Sequence, residues 1–437
     1  MTTTLDKPQL SPSFDFRFSN VETLVVKVTR RCNLDCAYCY ENITKEGDMS
    51  IETFKLLAQK VIESTTNSVI NFLFHGGEPT LLPNSFYEQA VEYANDLAEK
   101  YDKKARYSMQ TNLLFLTSDK LALFKRYKFS IGASIDGPAD IYETMRKGSD
   151  KFTRNYFNAI ENGVKVGLLA TINQSNFDQY DTILNWLQTT LNVKSFKANN
   201  VYSVGTGHNL PDMKPEQIFL AQKTIVDYLI KTRGFEVIED NIKWQLEWFF
   251  RDNDHKNTSL CHSQKCGAGS RVLGITTTGE ILPCGRFQWN DKDYYLGTLQ
   301  TENIDFNSKI ADFHSLVPQN WYDCNNCEAK KICGYGCQAF ITRSKSQANV
   351  ECLPTKMLYT YFKQNEIILK DIFETMKSRH FVKAGYGDRG GEYSDQSYKD
   401  YNDDKGTYKD YSDSGGSPGS NDDDYKDFQG DIYHDSK

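Results

Sequence analysis

At 437 residues, with 39% hydrophobic and 25% charged residues, the chain is too long for one small domain and has the make-up of two folded units plus appendages. No stretch approaches the roughly 18 consecutive apolar residues of a membrane helix, and the polar start from Met1 to Pro12 lacks a secretory pattern, so the expectation is a cytoplasmic protein with no membrane partner. The net charge of −7 sits in residues 381–437, with 14 acidic and 7 basic residues, while residues 1–380 hold 44 of each, which excludes a basic nucleic-acid groove.

After an N-terminal extension over 1–20, the β-branched run from Thr23 to Val28 reads as a buried strand. Further strands are predicted from Val69 to Phe74, Ala105 to Met109, Phe129 to Ile135, Lys165 to Ile172 and Lys194 to Ala198. Helical periodicity separates them, as from Ile51 to Ser64 and from Ser85 to Lys100. Six strands alternating with helices over 21–210 predict parallel βα units, closed as a full or partial barrel or laid out as an open sheet. In the bridge over 211–260, Pro215 and Gly234 bracket a helix with Ile218, Ile225 and Leu229 on one face. The segment 261–355 is rich in cysteine and glycine, as where metal sites replace an apolar core. Leu358, Phe362, Leu369, Ile372 and Met376 fall at helical spacing and predict one docked amphipathic helix over 356–380. From 381 onward the composition turns to Gly, Ser, Asp, Tyr and Lys and predicts a disordered acidic tail.

Eleven cysteines, an odd number, point in a reducing compartment to metal or redox chemistry rather than disulfides. Cys32, Cys36 and Cys39 form C-x3-C-x2-C directly after the first strand. Three thiolates leave one iron of a 4Fe-4S cube without a protein ligand, where an electron-transfer cluster uses four. The same spacing with a distant fourth ligand also suits structural zinc. The motif resembles the signature of the radical S-adenosylmethionine (SAM) superfamily. That resemblance implies a partial (β/α)6 TIM-like α/β barrel in which the open iron chelates SAM and electron transfer into the sulfonium releases a 5'-deoxyadenosyl radical. It also implies cofactor contacts. Tyr38 would pack near the adenine. Gly76, Gly77 and Glu78 resemble the GGE motif, whose carboxylate accepts from the cofactor's ammonium. Ser134 and Asp136 of SIDGP, with Arg146 beyond, would face the ribose and carboxylate. These segments follow successive strands, the face where barrel enzymes gather their chemistry.

The other eight cysteines resemble the SPASM pattern of that superfamily: Cys266, the G-x4-C element ending at Cys284, then Cys324, Cys327, Cys333 and Cys337, and finally Cys352, with Cys261 just upstream. The resemblance implies two auxiliary 4Fe-4S clusters, held by Cys261, Cys266, Cys284 and Cys337 and by Cys324, Cys327, Cys333 and Cys352. With the SAM cluster, that makes three. A pair of zinc ribbons is the alternative for these spacings. The pattern also resembles anaerobic sulfatase-maturating enzymes, but those carry an aspartate after the G-x4-C cysteine as a proposed base. Here Gly285 and Arg286 follow Cys284, so no catalytic base is identified and sulfatase maturation is in doubt.

The tail holds eight tyrosines, each followed two positions later by aspartate: Tyr386 and Asp388, Tyr393 and Asp395, Tyr398 and Asp400, Tyr401 and Asp403, Tyr408 and Asp410, Tyr411 and Asp413, Tyr425 and Asp427, Tyr433 and Asp435. This resembles the repeated aromatic-x-x' motifs on which three-residue cyclophane maturases act, and implies a peptide substrate fused to its enzyme. The expected reaction joins the aspartate β-carbon to the tyrosine ring, with an auxiliary cluster taking the leftover electron and an external one-electron reductant such as a flavodoxin or ferredoxin supplying the first. A linker of 20 to 50 residues spans roughly 25 to 40 Å, enough to reach the site. Two other functions stay open: a SPASM maturase acting on a separate peptide or protein, and a non-enzymatic multi-cluster electron carrier that would not cleave SAM.

Overall fold

Six strands run parallel and neighbour one another in chain order: β1 (Thr23–Thr29), β2 (Val69–Gly76), β3 (Lys104–Thr111), β4 (Ser130–Ile135), β5 (Val166–Ile172) and β6 (Ser195–Asn200). The computed structural model describes residues 15–205, 207, 210–251, 261, 266–301, 305–315, 324, 326–343 and 349–378. The acidic tail from 381, with its predicted disorder and Tyr-x-Asp pairs, lies outside the described residues.

Among the described residues the six strands do not close on each other. A short β7 (Ile238–Glu239) extends the β6 edge in parallel. At the other edge β8 (Val272–Ile275) lies parallel to β1 and is followed by antiparallel β9 (Glu280–Leu282) and β10 (Gly297–Thr298). The result is a partial (β/α)6 barrel whose sheet is prolonged by the cysteine-rich segment.

β1 and β2 each have strands on both sides, yet β1 is buried at six consecutive residues, whereas β2 alternates. On the outer face of β2 and β3, Phe72, Phe74, Tyr107 and Phe129 stack at centroid distances of 5.7–6.4 Å. Phe54 of the helix Ile51–Ser64 packs on Phe72 and Phe74. Each such ring contributes about 1.5–3 kcal/mol relative to exposure. That helix has its predicted bounds because the Ser50 hydroxyl accepts from Thr53 N at 3.1 Å and caps it.

The helix Pro215–Lys231 buries Ile218, Ile225 and Leu229, as their spacing predicts. The C-terminal segment differs from expectation. It is two helices, Cys352–Gln364 and Glu366–Ser378, not one. The chain breaks at Asn365, with φ −112° and ψ 18°, and the Asn365 carboxamide donates back to Tyr361 O at 2.9 Å. Leu358, Phe362, Leu369, Ile372 and Met376 are nonetheless all buried.

Candidate active site

The pairing between β1 and β2 shifts register between Lys27 and Thr29, just where the chain leaves the sheet for the Cys32–Cys39 loop. Gly76 and Gly77 are glycine because the emerging backbone crosses over them. A Cβ on Gly76, which has φ +123°, would lie 2.2 Å from Thr29 O, and one on Gly77 2.1 Å from Arg31 O. In return Gly77 N donates to Thr29 O at 2.9 Å and Glu78 N to Arg31 O at 2.8 Å. The far side of the loop is tied to the end of the helix Ala139–Met145, with Ala37 N donating to Met145 O at 3.1 Å.

The three loop cysteines lie within electrostatic reach of one another. Burial pushes the Cys32 and Cys39 thiols up to about 12 and raises that of Cys36 as well. The site therefore opposes bare thiolates and suits thiolates neutralised by a metal. None of the eleven cysteines is in a disulfide. Among the described residues no group of three or more His, Cys, Asp or Glu side chains closes around a single ion. Asn112, just past β3, reaches back to the loop, its carboxamide donating to Asn33 Oδ1 at 2.7 Å and standing 3.9 Å from Cys32 Sγ.

Tyr38, Asp136 and Arg146 come together. The Tyr38 hydroxyl donates to Asp136 Oδ2 at 2.5 Å and accepts from Arg146 at 2.8 Å. Burial pushes the Asp136 carboxyl up, and the Arg146 guanidinium pulls it back. Arg146 Nε is buried without a hydrogen-bond partner among the described residues, a donor left for an added group. Ser134 accepts instead from Gln110 at 2.9 Å.

Glu78 stands differently from the expected open acceptor. It is fully buried. Its Oε1 accepts from Thr80 N at 2.9 Å and from the Thr80 and Thr111 hydroxyls at 2.6 Å each, and its Oε2 accepts from Asn112 N at 2.7 Å. It ties the ends of β2 and β3 together, and its remaining acceptor capacity is on Oε2.

The downstream cysteines fall into two neighbourhoods. Cys266, Cys284 and Cys337 act electrostatically on one another or on Cys261, and pack round the apolar side chains of Ala268, Leu282 and Phe287. Cys324, Cys333 and Cys352 are linked in the same way, with Cys327 beside Cys324 and Cys352. Burial raises the thiols of Cys284 and Cys337 and pushes those of Cys266 and Cys333 up to about 12.

A buried polar network lies between the Cys39 loop and Cys284, and motif spacing gave no sign of it. Lys27 Nζ donates to Glu41 at 2.9 and 3.1 Å and to Phe287 O at 2.5 Å. His75 Nδ1 accepts from Gly76 N at 2.8 Å, which leaves the proton on Nε2, 3.2 Å from the Tyr40 hydroxyl. Burial pushes His75 down to about 4 and keeps it neutral. The one local signal was a polar side chain in the otherwise apolar end of β2. Beyond β6 a cleft of roughly 60 Å³ is lined by Trp244, Trp248, Glu239, Glu351 and several carboxamides.

Residues 26–187 match the Radical SAM superfamily. The chain is 22% identical over 369 residues to the cysteine-type anaerobic sulfatase-maturating enzyme of Clostridium perfringens, covering 77% of this chain and 95% of that one. It is 26% identical over 330 residues to the antilisterial bacteriocin subtilosin biosynthesis protein AlbA of Bacillus subtilis, covering 71% and 66% of the two chains. The solved structure of native anSMEcpe with bound AdoMet and a peptide shares the fold at a TM-score of 0.69 and 19% identity, over 81% of this chain and 99% of that one. The cysteine loop, the glycine crossing and the Tyr38–Asp136–Arg146 group all fall in the matched segment, so residues 26–187 are a radical SAM domain and the chain that carries it is an enzyme.

Proposed function

We propose that this enzyme is a peptide maturase that links tyrosine to aspartate in the Tyr-x-Asp pairs of its own tail. The observation that carries the reading is the occurrence of eight such pairs in one chain with a radical SAM domain and two further cysteine neighbourhoods. Relatives named for maturing sulfatases and for making a bacteriocin support a peptide or protein substrate.

In this reading Cys32, Cys36 and Cys39 hold a 4Fe-4S cluster, and Arg146, Tyr38, Asp136 and the free capacity of Glu78 receive SAM. Together the cluster and SAM would supply a 5'-deoxyadenosyl radical. The residues fit these groups: three thiols, Cys36 buried and Cys32 and Cys39 half-buried, whose raised pKa favours a metal, a buried guanidinium with an unused N–H, and glycines where any Cβ would collide. Two auxiliary clusters are assigned, one to Cys261, Cys266, Cys284 and Cys337 and the other to Cys324, Cys327, Cys333 and Cys352. The substrate loses one hydrogen from the aspartate β-carbon and one from the tyrosine ring as a single carbon-carbon bond forms. The first leaves as an atom and the second as a proton, and one electron remains for an oxidised cluster to take up.

Intact mass analysis of the tail tests this. Protein expressed with iron, sulfide and reductant supply should carry a tail lighter by two hydrogen masses per link. An unchanged tail on cluster-loaded protein that cleaves SAM would remove self-modification. Activity on an added peptide alone would then favour a maturase acting in trans.

A further inference from the structure

We propose that Arg286 and Lys197 form the subsite that binds the substrate's aspartate carboxylate, an inference that rests on the Tyr-x-Asp reading. Arg286 is half-buried, and its guanidinium lies 4.6 Å from the Phe340 ring centroid and 5.8 Å from that of Tyr40. Rings on its faces leave the edge of the fork, where its N–H groups point, for a planar anion. Other arginines near the site spend that edge on the protein. Arg343 pairs with Asp291 at 2.9 Å and Arg31 with Asp48 at 2.6 Å. Arg286 makes no side-chain hydrogen bond or ion pair with any described residue.

Lys197, on β6, is near enough for the two cations to repel. Its ammonium lies 4.8 Å over the Trp244 ring and has no carboxylate within ion-pair distance among the described residues. Its neighbour Glu239 is committed elsewhere, accepting from Ala198 N at 2.8 Å and Ile242 N at 2.7 Å. Bringing two partly desolvated cations together is costly, offset in part by the nearby thiols of Cys261, Cys284 and Cys337 and the carboxyls of Glu239 and Asp240. A carboxylate between them repays that cost with charge-assisted, potentially bidentate bonds.

A small cleft adjoins them. Trp244 also lines this cleft beyond β6, together with Glu239 and Glu351, and there Asn199, Asn200, Gln222, Asn241 and Gln245 each bring a buried carboxamide oxygen with no hydrogen-bond donor among the described residues. Unmet acceptors beside a cationic pair fit an acidic peptide, whose backbone N–H groups donate while a side-chain carboxylate accepts. The occupant we assign is the tail, which carries the chain's whole net charge of −7. The Cys284–Gly285–Arg286 sequence thus places a cation beside Cys284. Glycine at 285 is required by β1 packing, since a Cβ there would lie 2.4 Å from Val25.

The test is a binding measurement on the cluster-loaded full chain whose tail aspartates in the Tyr-x-Asp pairs are replaced by asparagine, so that its own tail competes weakly. Two fluorescent peptides copying residues 393–413 are titrated, one native and one with asparagine at the same aspartates. The native peptide should bind about tenfold or more tightly than its counterpart. Arg286→Gln should bring the preference to within about twofold and leave the asparagine peptide's affinity unchanged, while Arg286→Lys and Lys197→Gln should each keep part of it. Equal weakening of both peptides, or an undiminished preference in Arg286→Gln protein of normal iron content, overturns the assignment. A shifted cluster reduction potential with the preference intact overturns it too and makes Arg286 a counter-ion of the Cys261–Cys337 set. Tail mass separates the two claims. A linked tail with a preference blind to Arg286 sinks the subsite alone, and an unlinked tail with an Arg286-dependent preference sinks the crosslinking reading alone.

Discussion

The Tyr38 hydroxyl stands between Asp136 and Arg146, donating to the first at 2.5 Å and accepting from the second at 2.8 Å. The cysteine loop after β1 is thereby locked to the end of β4 and to the helix that follows. Tyr38→Phe leaves an aspartate that is 1% exposed without this donor and should cost about 1–3 kcal/mol in urea denaturation. SAM cleavage should fall roughly 10- to 100-fold as Arg146 and Asp136 lose their common anchor.

Gly77 has no room for a methyl group, since the obstructing atom is a backbone carbonyl. Gly77→Ala should therefore lower stability by at least about 2 kcal/mol and reduce iron bound by the loop. Gly163, at φ +76° with nothing within 4 Å of its Cβ position, serves as the contrast: alanine there meets only backbone strain, about 1 kcal/mol, and should leave iron content unchanged.

Lys27 and Glu41 are buried partners at 2.9 Å, exposed by 4% and 6%. Lys27→Met strands the carboxylate and should destabilise the protein by about 3–5 kcal/mol, whereas Lys27→Met combined with Glu41→Gln should recover part of that loss. A double-mutant cycle by thermal or urea unfolding reads the coupling.

His75 sets a pH dependence. Burial lowers it from an ordinary 6.5 to about 4, so between these values the unfolded chain binds the proton and the folded one does not. Its contribution to stability is present above pH 6.5 and lost as the pH falls toward 4, by up to about 3 kcal/mol. His75→Gln should flatten this part of the stability profile measured by urea unfolding from pH 4 to 7.

Where pattern was local, the sequence was readable. The six core strands lie within two residues of their predicted ends because each alternates or runs apolar between polar turns, and the helix at Ile51 is bounded by its Ser50 cap. The break at Asn365 was hidden because the apolar spacing continues across it from Phe362 to Leu369. β7 has only two residues, too few to carry a period. The pairing of β8 with β1 joins positions almost 250 residues apart, and nothing local encodes it. The same holds for the site. Cysteine spacing marked the three cysteine neighbourhoods, but the approach of Arg286 to Lys197 and the four donors on Glu78 arise only when distant segments meet.

In the reading proposed above, Cys32, Cys36 and Cys39 hold an iron-sulfur cluster that lets this chain cleave SAM. Anaerobically purified protein should be brown, carry about twelve irons and as many sulfides per chain for three 4Fe-4S clusters, and release 5'-deoxyadenosine from SAM on reduction. The Cys32→Ala variant should keep about eight irons and release none. Colourless, zinc-filled protein, or iron-loaded protein that leaves SAM intact, would rule this chemistry out.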